Sequence, residues 1–281
     1  MFTPNTTQSP TSNAGYQRVF KSGKLTLGIF PPIEAFNGDM PTMQNQVALA
    51  QFAERAGFAS PAFRDVPLRH PIHTAKAAAS IDQLSQGRLL LGVASGDRPI
   101  EFPAFGVDFE TLCQAFREKL ELLKIYWSHY FPQVYSSFGY TTDADVIPKP
   151  VLSHVPLLVT GHSHQDLSWI AEHADGWMSY PRSIDAQEQV VKRWRDAVET
   201  VSPGQYKPFT RSYFIDLVDA PNVAATPIHL GHRLGRNALS KHLRASKRIG
   251  VDHLIFNLKY GKRPAEEVLQ ELAEFVLPEF V

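Results

Sequence analysis

Short apolar runs alternate along the chain with longer segments whose apolar residues recur every three or four positions. The short runs begin near residues 25, 58, 88, 155, 177, 209 and 251, and such runs are typical of strands buried on both faces. The longer segments are typical of helices that bury one side; in 108–127, Phe109, Leu112 and Phe116 share a face. The pattern predicts a parallel sheet covered by helices, the α/β class.

A strand–helix chain of 281 residues fits a TIM-type (β/α)8 barrel, although the pattern yields seven strands rather than eight. Further helices are predicted over 42–56, with Thr42 as N-cap, and over 72–85, 165–174, 186–201, 237–249 and from Pro264 onward. Residues 129–154 and 219–235 are predicted to be loops. The polar start of the chain predicts a flexible tail over 1–20, followed by a single barrel domain over 21–281.

Charge and composition narrow the classes of function. Lys plus Arg equal Asp plus Glu at 28 each, which argues against a nucleic-acid or anionic-membrane surface, because both need excess positive charge. No apolar run is long enough for a signal peptide or a membrane span, so we expect a cytoplasmic protein. The single cysteine, Cys113, excludes an intrachain disulfide and a Cys-based zinc site, and its place on a helix favours core packing.

The first candidate site residues are Ser95, Gly96 and Asp97, which directly follow the predicted strand at 88–94. Ligands of parallel barrels bind at the carboxyl ends of the strands. Glycine lets the backbone approach a flat ring closely, and the Ser95 hydroxyl can donate a hydrogen bond to a ring atom. A plain glycine turn is the alternative interpretation.

A second group lies between a strand and a helix start and comprises Gly161, His162, Ser163 and Gln165. Free amide groups and the positive end of a helix dipole favour phosphate there, and Ser163 would then be both N-cap and ligand. A helix that is merely capped by a serine is the alternative.

Charged residues follow two other predicted strands. Arg233 and Arg236 suit a phosphate or an acidic substrate group, but surface ion pairs explain them equally well. Arg64 and Asp65 either reach the site or pair with each other.

Histidines and aromatic residues leave alternatives open. His162 and His164 stand one residue apart, as in some metal-dependent hydrolases, but no carboxylate has a matching spacing and we predict no metal site. His70 and His73 are either substrate-side acid–base groups or capping and packing residues. The aromatic residues of 129–154 either form a lid over an apolar substrate or pack beneath the loop; they are Tyr130, Phe131, Tyr135, Phe138 and Tyr140.

One long segment, "AAASIDQLSQGRLLLGVASGDRPIEFPAFG", followed by "FREKLELLKIYW", resembles the core signature of the bacterial-luciferase-like flavin-dependent monooxygenases. Four shorter matches extend the resemblance over about 24–278, and they are "AERAGF", "VPLLVTGHS", "IAEHADGW" and "HLGHRLGRNAL". It points to the luciferase-type oxidoreductase subgroup. The resemblance implies flavin-ring contacts at Ser95 and Gly96 and an FMN phosphate at the 161–165 loop.

The chain departs from the family pattern at one place. Members normally carry a helix and a strand before the segment that here begins "RHPIHTAKAAAS", whereas this sequence runs from "RDVPL" straight into it. One β/α unit is therefore missing or unobserved between Leu68 and Arg69.

The resemblance also implies an activity. It implies a flavin-dependent oxidoreductase or monooxygenase that uses reduced FMN from a separate flavin reductase, and O₂, on a small organic substrate in a homodimer. No residue is assigned as catalytic, because the cofactor carries the chemistry. A deazaflavin-using barrel, or a non-catalytic relative that has lost part of the flavin site, is the alternative.

Overall fold

A computed structural model describes residues 9–30, 45–58, 62–65, 68–96 and 98–280, with the backbone alone described for 62–65. The helices are α1 (Ala14–Val19), α2 (Gln46–Arg55), α3 (Pro71–Leu84), α4 (Glu101–Ala104), α5 (Leu112–Ser128), α6 (Leu167–His173), α7 (Ile184–Val201), α8 (Arg236–Arg248) and α9 (Ala265–Phe275). The strands are β1 (Thr26–Phe30), β2 (Ala62–Asp65), β3 (Leu91–Ala94), β4 (Val134–Ser136), β5 (Gly139–Thr141), β6 (Leu157–Thr160), β7 (Gly176–Ser179), β8 (Phe209–Leu217), β9 (Thr226–Ile228), β10 (Gly231–Leu234) and β11 (His253–Asn257).

The chain divides into two compact units. The first unit comprises Met1–Arg18 and Pro61–Trp177, and the second comprises Val19–Ser60 and Met178–Val281. The chain passes from the first to the second within β7. The sequence-based single domain over 21–281 stays a prediction.

In the first unit, the order of the parallel strands is β2–β3–β6. Ala62 pairs with Leu91, and Leu91 in turn pairs with Leu157, so the carboxyl ends of the three strands lie at one edge. α3 and α5 pack together, and the Trp127 indole Nε1 donates to the carbonyl of Ala75 at 3.0 Å. This edge carries the first two groups of candidate site residues.

In the second unit, β1, β11, β8 and β10 are parallel neighbours in that order, and β9 adds antiparallel to β10. Because side chains alternate along a strand, Arg211, Tyr213 and Ile215 of β8 share one face of this sheet. The parallel strands and their helices confirm the α/β class.

The seven predicted strands all occur within the described residues, as β1, β2, β3, β6, β7, β8 and β11. Two short hairpins, β4–β5 and β9–β10, form where the sequence predicted loops. Their strands have three or four residues, too few for a periodic signal. The predicted cap Thr42 lies outside the described residues, and Asn45 precedes α2 instead.

The start of the chain differs from the flexible tail predicted over 1–20. Residues 1–8 lie outside the described part, but Pro10–Ser12 form a 3₁₀ turn and α1 follows. Tyr16, Val19 and Phe20 are buried. These three apolar side chains are separated by polar residues in the sequence, but their burial is sufficient to hold the segment against the core.

Around the apparent gap between Leu68 and Arg69, the described elements follow in the order strand, helix, strand. β2 pairs directly with β3 over four residues on each strand, and α3 is the helix between them. The pairing of β2 with β3 is therefore intact although the sequence lacks one β/α unit of the family pattern. Among the described helices, none is long and apolar enough to cross a lipid bilayer.

Candidate functional site

The turns after β3 and β6 are joined by one hydroxyl group. The amide of Ser95 donates to Ser163 Oγ at 3.2 Å, and Ser163 Oγ donates to the carbonyl of Thr160 at 2.9 Å. Both serines are buried. The two predicted groups of site residues are therefore in contact, and the hydrogen bonds of the Ser163 side chain link the two turns.

Gly96 allows the turn after β3 to close. Its φ of +93° lies in the left-handed region, where a side chain is strained. A Cβ placed there would lie 3.2 Å from Cζ of Phe102, the buried residue of α4. The Ser95 hydroxyl makes no hydrogen bond to any described residue, so it remains open to a ligand.

The loop after β6 contains backbone donors that have no hydrogen-bond partner among the described residues. Gly161, Ser163 and His164 have φ values of +60°, +47° and +58°. The amides of His162, Ser163 and His164 make no hydrogen bond to a described residue. Consecutive open amides in such turns form the concavities that bind anions. The carbonyl of Gly161 is held by the Trp177 indole Nε1 at 2.6 Å.

Gln165 fastens this loop to α5. Its Oε1 accepts from Arg117 Nε at 2.5 Å, and its Nε2 donates to the carbonyls of Cys113 and Ser163 at 3.1 and 3.2 Å. The Gln165 side chain is buried and its polar atoms are occupied, so it positions the loop. Sequence reasoning missed Arg117 and placed Cys113 in the core, whereas Cys113 is half-buried against the loop.

The predicted N-cap role of Ser163 is wrong. α6 begins at Leu167, and Asp166 is its cap, accepting from the amide of Trp169 at 2.7 Å. A carboxylate already occupies the helix start and adds negative charge there. Any phosphate must therefore use the loop amides rather than the helix terminus.

The other predicted site residues lie in the second unit or outside the described part of the chain. Asp97 lies outside the described residues, as do the side chains of Arg64 and Asp65. Arg233 and Arg236 belong to the second unit, where Arg233 pairs with Asp216 at 2.7 Å and Arg236 with Glu271 at 2.8 Å. These contacts match the ion-pair alternative.

The histidines take structural positions. The His162 ring stands edge-on to Trp177 and the His164 ring edge-on to Phe109. Over the described residues, no group of three or more His, Cys, Asp or Glu side chains is arranged to hold a metal ion. His70 is the N-cap of α3, accepting from the amide of Ile72 at 3.3 Å, as the capping alternative predicted.

A cavity of about 560 Å³ opens in the first unit beside α3. Its walls are mainly apolar, and its polar side chains include Arg69, His73 and Thr74. The buried Thr74 hydroxyl has no hydrogen-bond partner among the residues that the structure describes, although a Thr hydroxyl in a helix commonly bonds a carbonyl one turn back. The apolar lining residues are Leu68, Ala77, Ala78, Ile81, Leu89, Leu91 and Phe105.

A buried lysine lies close to this cavity and was not singled out by the sequence. Lys119 Nζ donates to the carbonyl of Arg69 at 2.9 Å and stands 4.2 Å from the ring centre of Phe138. Burial lowers its pKa to about 8, partly offset by the charge of Glu118. Most of the other aromatic residues of 129–154 are exposed, with Tyr135 stacked on Tyr140.

The described residues fit part of a flavin nucleotide. Open amides suit its phosphate, and the Ser95 hydroxyl beside Gly96 suits a polar atom of its ring. Among the described contacts of the two turns, the cationic side chain is Arg117, and its Nε already donates to Gln165. The described part of the two turns therefore offers no uncommitted cationic group to a phosphate.

Comparisons with known proteins agree on a family. A family model described as luciferase-like monooxygenase matches residues 60–216. An uncharacterised protein of Mycobacterium tuberculosis is 35% identical over 127 residues, which cover 44% of this chain. The match covers 45% of that relative, so the chain spans less than half of its length.

Two solved structures show the same fold. The oxygenating constituent of 3,6-diketocamphane monooxygenase from Pseudomonas putida, in complex with FMN, has a TM-score of 0.67 at 13% identity. The match covers 100% of this chain and 96% of that one. An F420-dependent secondary alcohol dehydrogenase, in complex with an F420–acetone adduct, also gives 0.67 at 13% identity, covering 98% and 96%. The luciferase-like α/β barrel fold is therefore confirmed, and a missing unit is consistent with it.

Proposed function

Because the chain belongs to the luciferase-like monooxygenase family, we propose that it is an oxidoreductase that binds reduced FMN and acts with O₂ on a small organic substrate. The supporting observation is the hydrogen bond from the Ser95 amide to Ser163 Oγ, which unites two turns carrying open donors at the strand ends. The flavin, when bound, supplies the electrons for the reaction. A separate flavin reductase would supply it in reduced form.

The chain's own groups would bind and orient this cofactor. The amides of His162, Ser163 and His164 would hold the phosphate, and the Ser95 hydroxyl would bond a ring atom. Gly96 would leave room for the ring edge. The side chains of Ser163 and Gln165 would hold the loop in place rather than touch the cofactor, because their polar atoms are already bonded.

The cavity beside α3 would take the substrate. α4 connects it to the cofactor turn, since Phe102 stands against Gly96 while Phe105 lines the cavity three residues later. Its volume and mostly apolar wall suit a small organic molecule.

A deazaflavin is the second candidate cofactor. The structural similarity to an F420-dependent alcohol dehydrogenase supports it, because the fold is shared. The open amides suit the phosphate of either cofactor. The homodimer that the resemblance implies is part of this proposal, as is the cytoplasmic location expected from the lack of a long apolar run.

Titration of the purified protein with FMN and with F420, followed by ligand fluorescence, tests the proposal. We expect binding at micromolar level or better, with FMN tighter than F420. Binding of F420 but not of FMN would support a deazaflavin as the cofactor in place of FMN. No binding of either would contradict the proposal and favour the non-catalytic alternative.

Gly161→Ala tests the loop itself. A methyl group at φ +60° is strained and would displace the adjoining amides, so we expect FMN affinity to fall about fivefold to tenfold, for about 1 kcal/mol of strain. Gly204→Ala is the matched control, because Gly204 has φ +71° and lies in the other unit with no atom within 4 Å of the added Cβ. Equal FMN affinity in the two variants would contradict the loop's role.

A further inference from the structure

Arg211 is an arginine in the core of the second unit. It lies on β8, its side chain is completely buried, and it shares a face with Tyr213. α8 covers this position and contributes His242, whose ring stacks on Tyr213 with the ring centres 4.3 Å apart. Arginine is rarely buried to this extent unless it is paired.

Most of the guanidinium group has no partner among the described residues. Nη2 donates to His242 Nε2 at 3.1 Å, but Nε and Nη1 are buried and make no hydrogen bond to the part of the chain that the structure describes. The Tyr213 ring lies 5.1 Å from the guanidinium carbon and offers a weak cation–π contact. Buried donors without acceptors are uncommon in native proteins and call for an explanation.

The surrounding groups do not balance the charge. Burial lowers the pKa of Arg211 to about 10, which leaves it protonated at neutral pH. Burial and the nearby Arg211 lower the pKa of His242 to about 3, so this histidine is neutral. Burial raises the pKa of Tyr213, and its hydroxyl is bonded to His232, whose own pKa is lowered by burial and by Arg211.

The well-buried carboxylates of the second unit are committed to other arginines. Asp216 pairs with Arg233, Asp252 pairs with Arg195, and Glu271 pairs with Arg236 and Arg263. No described carboxylate forms an ion pair with Arg211. The compensating negative charge must therefore come from outside these side chains.

We propose that Arg211 holds a small monovalent inorganic anion, of the size and charge of chloride, between β8 and α8. Such an ion accepts from one edge of the guanidinium, at Nε or at Nη1, which point to opposite sides, and it also neutralises the charge. A water molecule would satisfy the donors but leave the charge uncompensated, and an unpaired buried charge is strongly destabilising. Complete burial favours a small ion over a phosphate ester.

Crystals of the full chain soaked in sodium bromide provide the direct test. We expect a bromide anomalous peak within hydrogen-bonding distance of Arg211 Nε or Nη1. A water molecule with no anomalous signal at this position would overturn the proposal. This measurement uses the unmodified protein, so it does not depend on a variant that folds.

Thermal unfolding at constant ionic strength is the second test, with chloride replaced stepwise by gluconate. We expect Tm to rise by about 3 °C for each tenfold increase in chloride above the dissociation constant. Arg211→Met should abolish this rise. Arg244→Met, which removes an exposed arginine of α8 that pairs with Glu279, should retain it. A Tm independent of chloride in the unmodified protein would overturn the proposal.

Discussion

The turns after β3 and β6 and the Arg211 cluster between β8 and α8 are both polar and buried, but they leave different donors open. At the strand ends, the side chains of Ser163 and Gln165 are bonded, while the amides of 162–164 are open. In the second cluster, the strand ladder holds the backbone, while the side chain of Arg211 is open.

This difference separates two kinds of binding. Open amides are fixed by loop conformation, so they form a neutral, preorganised concavity that a charged ligand can enter and leave. An open guanidinium carries a full charge within the core, so its partner is part of the folded state. Conditions that change charge should therefore disturb the second cluster far more than the first.

The largest expected effect is the loss of stability at acid pH, and we expect it to arise in the Arg211 cluster. His242 has a folded pKa of about 3 and an ordinary value of 6.5. Below pH 6.5 the unfolded chain binds a proton that the folded chain does not, so the free energy of unfolding falls as pH falls toward 3. This histidine contributes up to about 1.4 kcal/mol per pH unit.

Urea unfolding between about pH 7 and pH 5 measures this contribution. We expect His242→Gln to lower the slope of stability against pH by close to one proton, whereas Ser163→Ala keeps the slope of the unmodified protein. Equal slopes for His242→Gln and the unmodified protein would show that this histidine is not held neutral by the fold.

Removal of the Ser163 hydroxyl should have an intermediate effect. Ser163→Ala leaves the buried amide of Ser95 without an acceptor, so the free energy of unfolding should fall by about 1–3 kcal/mol, and FMN affinity should fall with it. Ser246→Ala removes one local bond, from Ser246 Oγ to the carbonyl of His242, and should cost about 0.5–1 kcal/mol. Urea unfolding of both variants checks the order, and the reverse order would refute the bridging role.

The smallest effect is expected at Arg233. Because Arg233 pairs with Asp216 and is partly exposed, Arg233→Gln should change FMN affinity by no more than about twofold and stability by about 1 kcal/mol. FMN titration and urea unfolding measure both quantities. A tenfold loss of FMN affinity would contradict this prediction and would support a contact between Arg233 and the FMN phosphate.

The sequence predicted the strand ends well, because buried strands and the glycines that follow them leave a strong local pattern. The predicted strand ends placed Ser95 and Ser163 at the same edge of the sheet, and in the structure a hydrogen bond joins them. It did not predict Arg117 or the Asp166 cap, because both depend on where a helix begins or which helix face meets a distant loop.

Arg211 was missed for a different reason. In "FTRSYFIDL", three polar residues follow Phe209, yet all but one of the nine residues are buried. The available signal was a lone arginine within a strand already predicted to be buried. Its unpaired state depends on carboxylates elsewhere that are bound to other arginines, which local pattern does not reveal.

The hydrogen bond from the Trp177 indole to the carbonyl of Gly161 gives the molecule a built-in optical reporter. Indole emission responds to polarity and to hydrogen bonding at the ring nitrogen, and this nitrogen is attached to the first residue of the loop. Of the other three tryptophans, Trp127 and Trp194 donate to carbonyls outside the loop, and Trp169 stacks on His173, so replacing all three with phenylalanine would isolate the Trp177 signal. Any movement of the loop would then be visible as a change in colour or intensity, without an added dye.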